Sequence, residues 1–271
     1  MGQDALDQGA AVFGELDELK ALDCERLLRE TFVARVEVHA ELGSTNDHAK
    51  QRAQHPACAT PLLVVAERQT AGRGRGTHRW WSGSGALTFS MLIGAQQLPP
   101  RRSPLLSLGT AVAVAQTVAP LAAPHAVGLH WPNDVMAAGR KVAGILIEIL
   151  GNGQGVIGIG VNTNNQLAAG APDEVRAKAV TLLDLAGQRT DPTEVLLGIV
   201  QRVEQVLKDL HAGPERVAAA ADELCQQRGQ TLRMLCGTQH IEGRCAGIGP
   251  DGALLLDTAE GRREVHSGVG I

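Results

Sequence analysis

Gly72-Arg73-Gly74-Arg75-Gly76-Thr77-His78-Arg79-Trp80-Trp81-Ser82 lies between two apolar runs, Pro61-Leu62-Leu63-Val64-Val65-Ala66 and Leu87-Thr88-Phe89-Ser90-Met91-Leu92-Ile93. Glycines let a backbone approach an anion closely and adopt positive φ. Arginine forks add the charge-assisted, bidentate hydrogen bonds that phosphate and carboxylate accept. Such a loop suits a phosphoanhydride; the same residues also suit a solvated, mobile Gly/Arg segment. Leu87, Phe89, Met91 and Ile93 alternate with Thr88 and Ser90, the period of a strand. A dinucleotide fingerprint must open a helix, so strand–loop–strand order excludes that reading of Gly72-x-Gly74. The fold is therefore built on a sheet that carries a long Gly/Arg loop.

Working outward, Val33 to Val38 alternates like a further strand, and Ser44 or Thr45 can cap a short helix running through Ala49 and Gln54. Ser103-Pro104 offers an N-cap and N1 pair for an apolar helix through Val118. Val142–Leu150 and Gly155–Val161 read as buried strands joined by the hairpin signal Gly151-Asn152-Gly153. Leu183 to Leu185 and two helices, near Thr193–His211 and Glu215–Gln227, follow. Beyond Arg228-Gly229 the chain changes character. Short β runs are punctuated by Cys236-Gly237, Gly249-Pro250-Asp251-Gly252 and Glu260-Gly261, the spacing of a small β-barrel. The expected class is α/β (α+β), with an acidic helical leader over 1–32, a catalytic domain over 33–228 and a small barrel over 229–271.

Bulk properties narrow the function. Two hundred and seventy-one residues fit one large domain and a smaller one, and 44% hydrophobic content with 20% charge supports a buried core. A net charge of −4 and a pI near 6.1 argue against a general binder of nucleic acid or anionic membrane. Cys24, Cys58, Cys225, Cys236 and Cys245 form no C-x-x-C pair and are odd in number, which suits neither a zinc site nor a disulfide framework. The first residues, Met1-Gly2-Gln3-Asp4-Ala5-Leu6, carry no signal-peptide pattern, and Leu6 stands where myristoylation needs Ser or Thr. No apolar run approaches the roughly 18 residues of a membrane span. The expected compartment is the cytoplasm.

Four segments then resemble one family. Gly72 to Trp80 resembles the GRGRxxRxW pattern of the biotin protein ligases. His130-Trp131-Pro132-Asn133-Asp134, followed by Arg140-Lys141-Val142-Ala143-Gly144-Ile145-Leu146-Ile147-Glu148, is similar to that family's KWPND and K-x-x-G-I-L-x-E segments. Gly43-Ser44-Thr45-Asn46-Asp47 and Gly158-Ile159-Gly160-Val161-Asn162 match its Ser-Thr-Asn and G-x-G-x-N segments, in the family order. The resemblance implies a mixed-sheet catalytic domain of the biotin/lipoate ligase type with an SH3-like C-terminal barrel. It implies biotin and ATP as substrates, Mg²⁺, a biotinyl-5′-AMP intermediate, and transfer to a lysine of a biotin carboxyl carrier domain. Relatives that also repress transcription carry a winged helix ahead of the catalytic domain. Only 43 residues precede Ser44 here, and Asp4, Asp7, Glu15, Asp17 and Glu18 suit phosphate contact poorly, so the type without DNA binding is expected. A homodimer is left open.

The first half-reaction brings a carboxylate toward a triphosphate. Two unit charges about 4 Å apart repel by about 4 kcal/mol at an effective dielectric near 20. Fixed cations must offset this, and Lys141, Arg73 and Arg75 are assigned to it. Asp134 orients Lys141 or meets a metal ion, or is an ordinary Asx-turn carboxylate. By the resemblance, Ser44, Thr45, Asn46, Gln69, Arg73, Gly74, Arg75, Lys141 and Gly144 contact biotin, whose ureido group needs donors and acceptors. Arg73, Arg75, Trp80, Asn133 and Asn162 contact the nucleotide. His130 stands where the family usually has Lys and His78 where it often has Arg, and both lower local positive charge at neutral pH. Two other readings compete: a lipoate or octanoate ligase, whose Arg-Arg…Gly-Gly signature is not evident, and an RNA-binding module using Gly72–Arg79 and the barrel. The acidic pI and the scarcity of aromatics count against the second.

Overall fold

The structure, a computed structural model, describes residues 22–99 and 104–270. The expected leader is thus described only from Leu22, and Ser103 lies outside the described residues. Helix α1 (Cys24–Glu30) begins where Asp23 accepts the Arg26 backbone N–H, and leads to β1 (Arg35–Leu42). Next come α2 (Thr45–Arg52), β2 (Leu62–Gln69), β3 (Leu87–Ile93), α3 (Leu105–Val118), β4 (Val127–His130), β5 (Asp134–Ala137), β6 (Arg140–Ile149) and β7 (Gly155–Val161). The sheet runs β1-β2-β3-β7-β6-β5-β4, with β1 and β2 parallel and every other pairing antiparallel.

Strands β3 and β7, at the centre, are buried at every position. One face carries Leu63, Val65, Phe89, Met91, Ile157 and Ile159 into the main core, against α3 and α6 (Pro192–Ala212). Full burial of such a side chain contributes about 1.5–3 kcal/mol. In α6 the sequence supplies Asp191 as cap, Pro192 at the first turn, and buried Val195, Leu196, Ile199, Val203 and Leu210 at helical spacing. The opposite face is covered by the short α2, whose Ala49 meets Leu62, Val64, Leu92 and Val156. The rest of that face is open, and there the site lies.

Four features depart from the expectation. Trp131-Pro132-Asn133 forms the turn of a hairpin between β4 and β5, whose four-residue strands are too short for periodicity to announce. Helix α4 (Asp173–Lys178) has no counterpart in the sequence reading, and the Leu183–Leu185 segment lies in a short helix, α5 (Leu182–Ala186), set by a Thr181–Asp184 capping box. Helix α2 stops at Arg52, and the Ser44 hydroxyl makes no cap bond. Helix α7 (Glu215–Glu223) ends short of Gln227, because the next residues pair with β4: Leu129 N–H donates to Leu224 O at 2.7 Å and Gln226 N–H to Leu129 O at 3.0 Å.

Strands β8 (Thr231–Cys236), β9 (Gln239–Ile248), β10 (Leu254–Thr258), β11 (Gly261–Val265) and β12 (Val269–Gly270) form an antiparallel sheet in the order β11-β10-β9-β8-β12. This is the small C-terminal β module expected. Its Met234, Cys245, Ile248, Leu254 and Leu256 share the main core, so the two sheets pack as one body of side chains.

Candidate active site

Strand alternation builds the floor of the site. In β7, Ile157, Ile159 and Val161 enter the core, so Gly158 and Gly160 face the other way. Register sets Gly158 beside Ser90 and Gly160 beside Thr88 and Gly144. A Cβ at Gly158 would overlap Asn46 Oδ1, and one at Gly160 would overlap the Trp80 indole. These glycines let two polar groups lie directly on the sheet. Above them opens a cleft of about 1380 Å³, and every site residue singled out from the sequence lines it.

At one end Ser44, Thr45 and Asn46, all buried, project from the start of α2. Ser90 Oγ is 2.6 Å from Asn46 Oδ1 and 2.7 Å from Thr45 Oγ1. Gln69 Oε1 accepts from Thr45 N at 2.7 Å and stands 3.1 Å from its hydroxyl. The Asn46 amide donates to Glu148 Oε2 at 2.9 Å. The result is a cage of oriented hydroxyls and amides at the head of an apolar sheet. Sequence reasoning missed Ser90 as a member; its polar side chain on the face of β3 opposite Leu87, Phe89, Met91 and Ile93 was the available signal.

At the other end Lys141 Nζ stands 2.6 Å from Asp134 Oδ1 and 5.7 Å from the centre of the Trp80 ring, within cation–π range. A β-bulge makes this possible. Val135 pairs with Ala143 but Met136 with Lys141, leaving Val142 as an extra residue on β6. Lys141 and Gly144 consequently share a face, and a Cβ at Gly144 would come within 2.9 Å of Lys141 Cε. Asn133 spends its amide on Ile145 O at 2.8 Å, which fixes the hairpin turn against β6. Buried Asn162 directs its amide toward Lys141 O at 3.4 Å and takes Asn165 Nδ2 on Oδ1 at 3.3 Å. Trp131 belongs to the core, donating its indole N–H to Gly252 O at 3.0 Å, and Trp81 packs near Leu167 and Ala179.

The loop itself is a narrow ribbon: Gly74 N–H donates to His78 O at 2.9 Å and Trp80 N–H to Gly72 O at 3.1 Å. Two of its three arginines, Arg73 and Arg75, are held by protein groups. Arg73 lies 2.6 Å from Asp47 Oδ1 and 3.0 Å from Glu148 Oε1, and Arg75 donates to Gly268 O at 2.8 Å and Ser267 Oγ at 3.0 Å. Burial opposes the charge of Asp47, but hydrogen bonds from Lys50 and Arg73 outweigh it and hold the carboxyl below its usual value. His78 and His130, the two departures from the family pattern, are exposed at the rim.

Away from the cleft, Glu37, His39 and His48 converge between β1 and α2. Arg35 and Arg52 stand 3.0 and 3.1 Å from Glu37 Oε1, so this cluster is an ion-pair network whose net positive charge disfavours a metal.

Comparison with known proteins agrees with this geometry. The Biotin/lipoate A/B protein ligase family matches residues 39–162, and the Biotin protein ligase C terminal domain matches 229–269. The biotin–[acetyl-CoA-carboxylase] ligase of Mycobacterium tuberculosis is 34% identical over 265 residues, covering 93% of this chain and 96% of that protein. The bifunctional ligase/repressor BirA of Bacillus subtilis is 34% identical over 236 residues, 84% of this chain and 71% of that protein. Among solved structures, the Aquifex aeolicus biotin protein ligase in complex with biotin and ATP superposes with a TM-score of 0.76 at 29% identity, covering 87% of this chain and 97% of that one. The fold and site define a nucleotide-dependent ligase of carboxylic acids. The chain belongs to the biotin protein ligase family. Among the described residues no helix is long and apolar enough to cross a membrane.

Proposed function

We propose that this chain activates biotin with ATP and passes the biotinyl group to a lysine of a biotin carboxyl carrier domain. A carboxylate oxygen of biotin attacks the α-phosphorus and pyrophosphate leaves, giving biotinyl-5′-AMP. The carrier amine then attacks the acyl carbon, AMP departs, and the nitrogen loses a proton to form the amide. The observation that carries this reading is the joining, in one cleft, of the Thr45–Asn46–Ser90–Gln69 cage to Lys141 beside Trp80.

Each residue has a share in that sequence. Thr45, Asn46, Ser90 and Gln69, with Ser44 beside them, offer the donors and acceptors a ureido ring needs. A lipoyl head group carries no ureido donors or acceptors to meet those groups, which disfavours the lipoate reading. Lys141 stabilises the charge gathering between carboxylate and α-phosphate, and Asp134 fixes its ammonium. Trp80, lying on Gly160, gives the nucleotide a face to stack on, with Asn162 below it. Arg73 and Arg75 steady the loop over the adenylate and turn spare guanidinium protons toward its anion. Of the protein groups beside Lys141, the Asp134 carboxylate, a hard oxygen donor, is the one that would hold an Mg²⁺ ion. That ion would supply further offset of phosphate charge. The RNA-binding alternative is weakened because two of the three loop arginines, Arg73 and Arg75, are engaged within the protein. Five free thiols support a cytoplasmic setting.

Incubation of the purified protein with ATP, Mg²⁺ and biotin, read by mass spectrometry, should yield biotinyl-5′-AMP. Excess lipoate should not compete. Absence of the adenylate, or its replacement by the lipoyl analogue, would overturn the proposal.

A further inference from the structure

Glu148 ends the motif that begins at Lys141, and the chemistry above does not use it. Its two oxygens face different partners. Oε2 accepts from the Asn46 amide at 2.9 Å, while Oε1 stands 3.0 Å from Arg73 and 3.1 Å from Lys50. Asp47 completes a ring, with Oδ1 at 2.6 Å from both Arg73 and Lys50. One carboxylate therefore touches the acyl cage and the Gly/Arg loop at once. Gly158 makes the arrangement tight, because any side chain there would displace Asn46 from its place beside Glu148.

We propose that Glu148 is a positioning residue that couples capture of the biotin head group to ordering of the Gly72–Arg79 loop. The inference rests on reading Asn46 as a biotin contact. An asparagine amide can face a ligand with either its oxygen or its nitrogen. Ser90 beside Oδ1 and Glu148 beside Nδ2 settle which end faces where. Arg73, with 41% of its side chain exposed, would gain little from one carboxylate in water. Two carboxylates spread across its planar fork hold it in one direction. Asp47 contributes to that hold but makes no bond to the Asn46 side chain, whereas Glu148 serves both. Coupling through Glu148 is reciprocal: biotin on Asn46 steadies Arg73, and an ordered loop raises biotin affinity.

The test compares tryptic cleavage of the loop, in the full-length protein, with and without saturating biotin. In the wild type biotin should slow cleavage by about tenfold, within the usual span of such couplings. Glu148→Gln keeps the shape and removes the charge. It should weaken biotin binding, and at saturating biotin the protection should fall below about twofold. Asp47→Asn should loosen the loop with and without ligand. Its effect on biotin affinity should vanish in the Glu148→Gln background. Glu148→Asp, which withdraws the carboxylate by one methylene, should behave as Glu148→Gln does and serves if the first variant fails to fold. Full biotin protection in a folded, biotin-saturated Glu148→Gln protein overturns the coupling while leaving the ligase reading intact. Failure of the wild type to bind biotin at all would instead overturn that reading.

Discussion

Lys141 Nζ meets Asp134 Oδ1 at 2.6 Å across the bulged pairing of β5 with β6, with the centre of the Trp80 ring 5.7 Å away. The carboxylate and the indole restrict an otherwise flexible ammonium, and on the proposed reading it stands where negative charge accumulates in the first half-reaction. In the second, a neutral amine attacks an already activated acyl group, so the need for a cation is smaller. Lys141→Met should therefore slow pyrophosphate release by about 10²–10³, the usual cost of one preorganised electrostatic contact. Transfer from supplied biotinyl-5′-AMP should suffer clearly less. Equal defects in both steps would mean that Lys141 holds the ligand or the fold.

Gly158 and Gly160, two residues apart on one face of β7, lie beneath the two ends of the cleft, which allows each end to be disturbed alone. A methyl at Gly158 displaces Asn46, and one at Gly160 displaces the Trp80 ring. Gly158→Ala should raise the KM for biotin by tenfold or more with a smaller effect on ATP. Gly160→Ala should do the reverse. Each should also cost about 1–3 kcal/mol of stability, the usual cost of overpacking, read by denaturant unfolding. Parallel losses for both substrates in both variants would show that the site does not divide in this way.

Trp131 ties the two sheets together. It is almost wholly buried, its backbone N–H donates to Gln227 Oε1 at 2.6 Å and its indole to Gly252 O at 3.0 Å. Trp131→Phe removes the indole donor and leaves a carbonyl unpaired, a loss of about 1–3 kcal/mol. Trp131→Ala should cost about 3–5 kcal/mol and speed amide exchange in β8 to β12. A change below about 1 kcal/mol for the alanine variant would show that the sheets are held by other contacts.

The strands that alternate cleanly, β3 and β7, and the long amphipathic α6 were legible because each carries enough residues to display its period. The order of the four motifs located the cleft. What remained hidden depends on contacts between distant parts of the chain. Simple alternation puts Lys141 and Gly144 on opposite faces, and only the extra residue at Val142 brings them together. Arg75 reaches Ser267 across 192 positions, and no local pattern in either segment signals the other. The arginines were read by their chemistry as anion ligands. In the folded chain Asp47, Glu148 and the Ser267–Gly268 turn engage them first.

Glu37 offers a test of electrostatics away from the cleft. Its side chain is buried, and burial alone would raise its pKa; His39 at 4.0 Å and His48 at 2.9 Å, with the charge of Arg52, instead hold it well below the usual carboxylate range. Arg35, at 3.0 Å, is the other cation facing it. A carboxylate whose folded pKa is depressed binds fewer protons folded than unfolded. Its contribution is complete above the unfolded value, about 4.3 for Glu, and is lost as pH falls toward the folded one. Asp47, also depressed, acts in the same direction from about 3.9 downward. Breaking a largely buried ion-pair network by removing one partner should make Glu37→Gln less stable by about 2–4 kcal/mol at pH 7. Measured by urea unfolding, that gap should hold from pH 8 to about 5 and narrow steadily below about 4. A gap that persists unchanged to pH 3 would mean the cluster stabilises by packing and hydrogen bonding alone, with no contribution from the charge of Glu37.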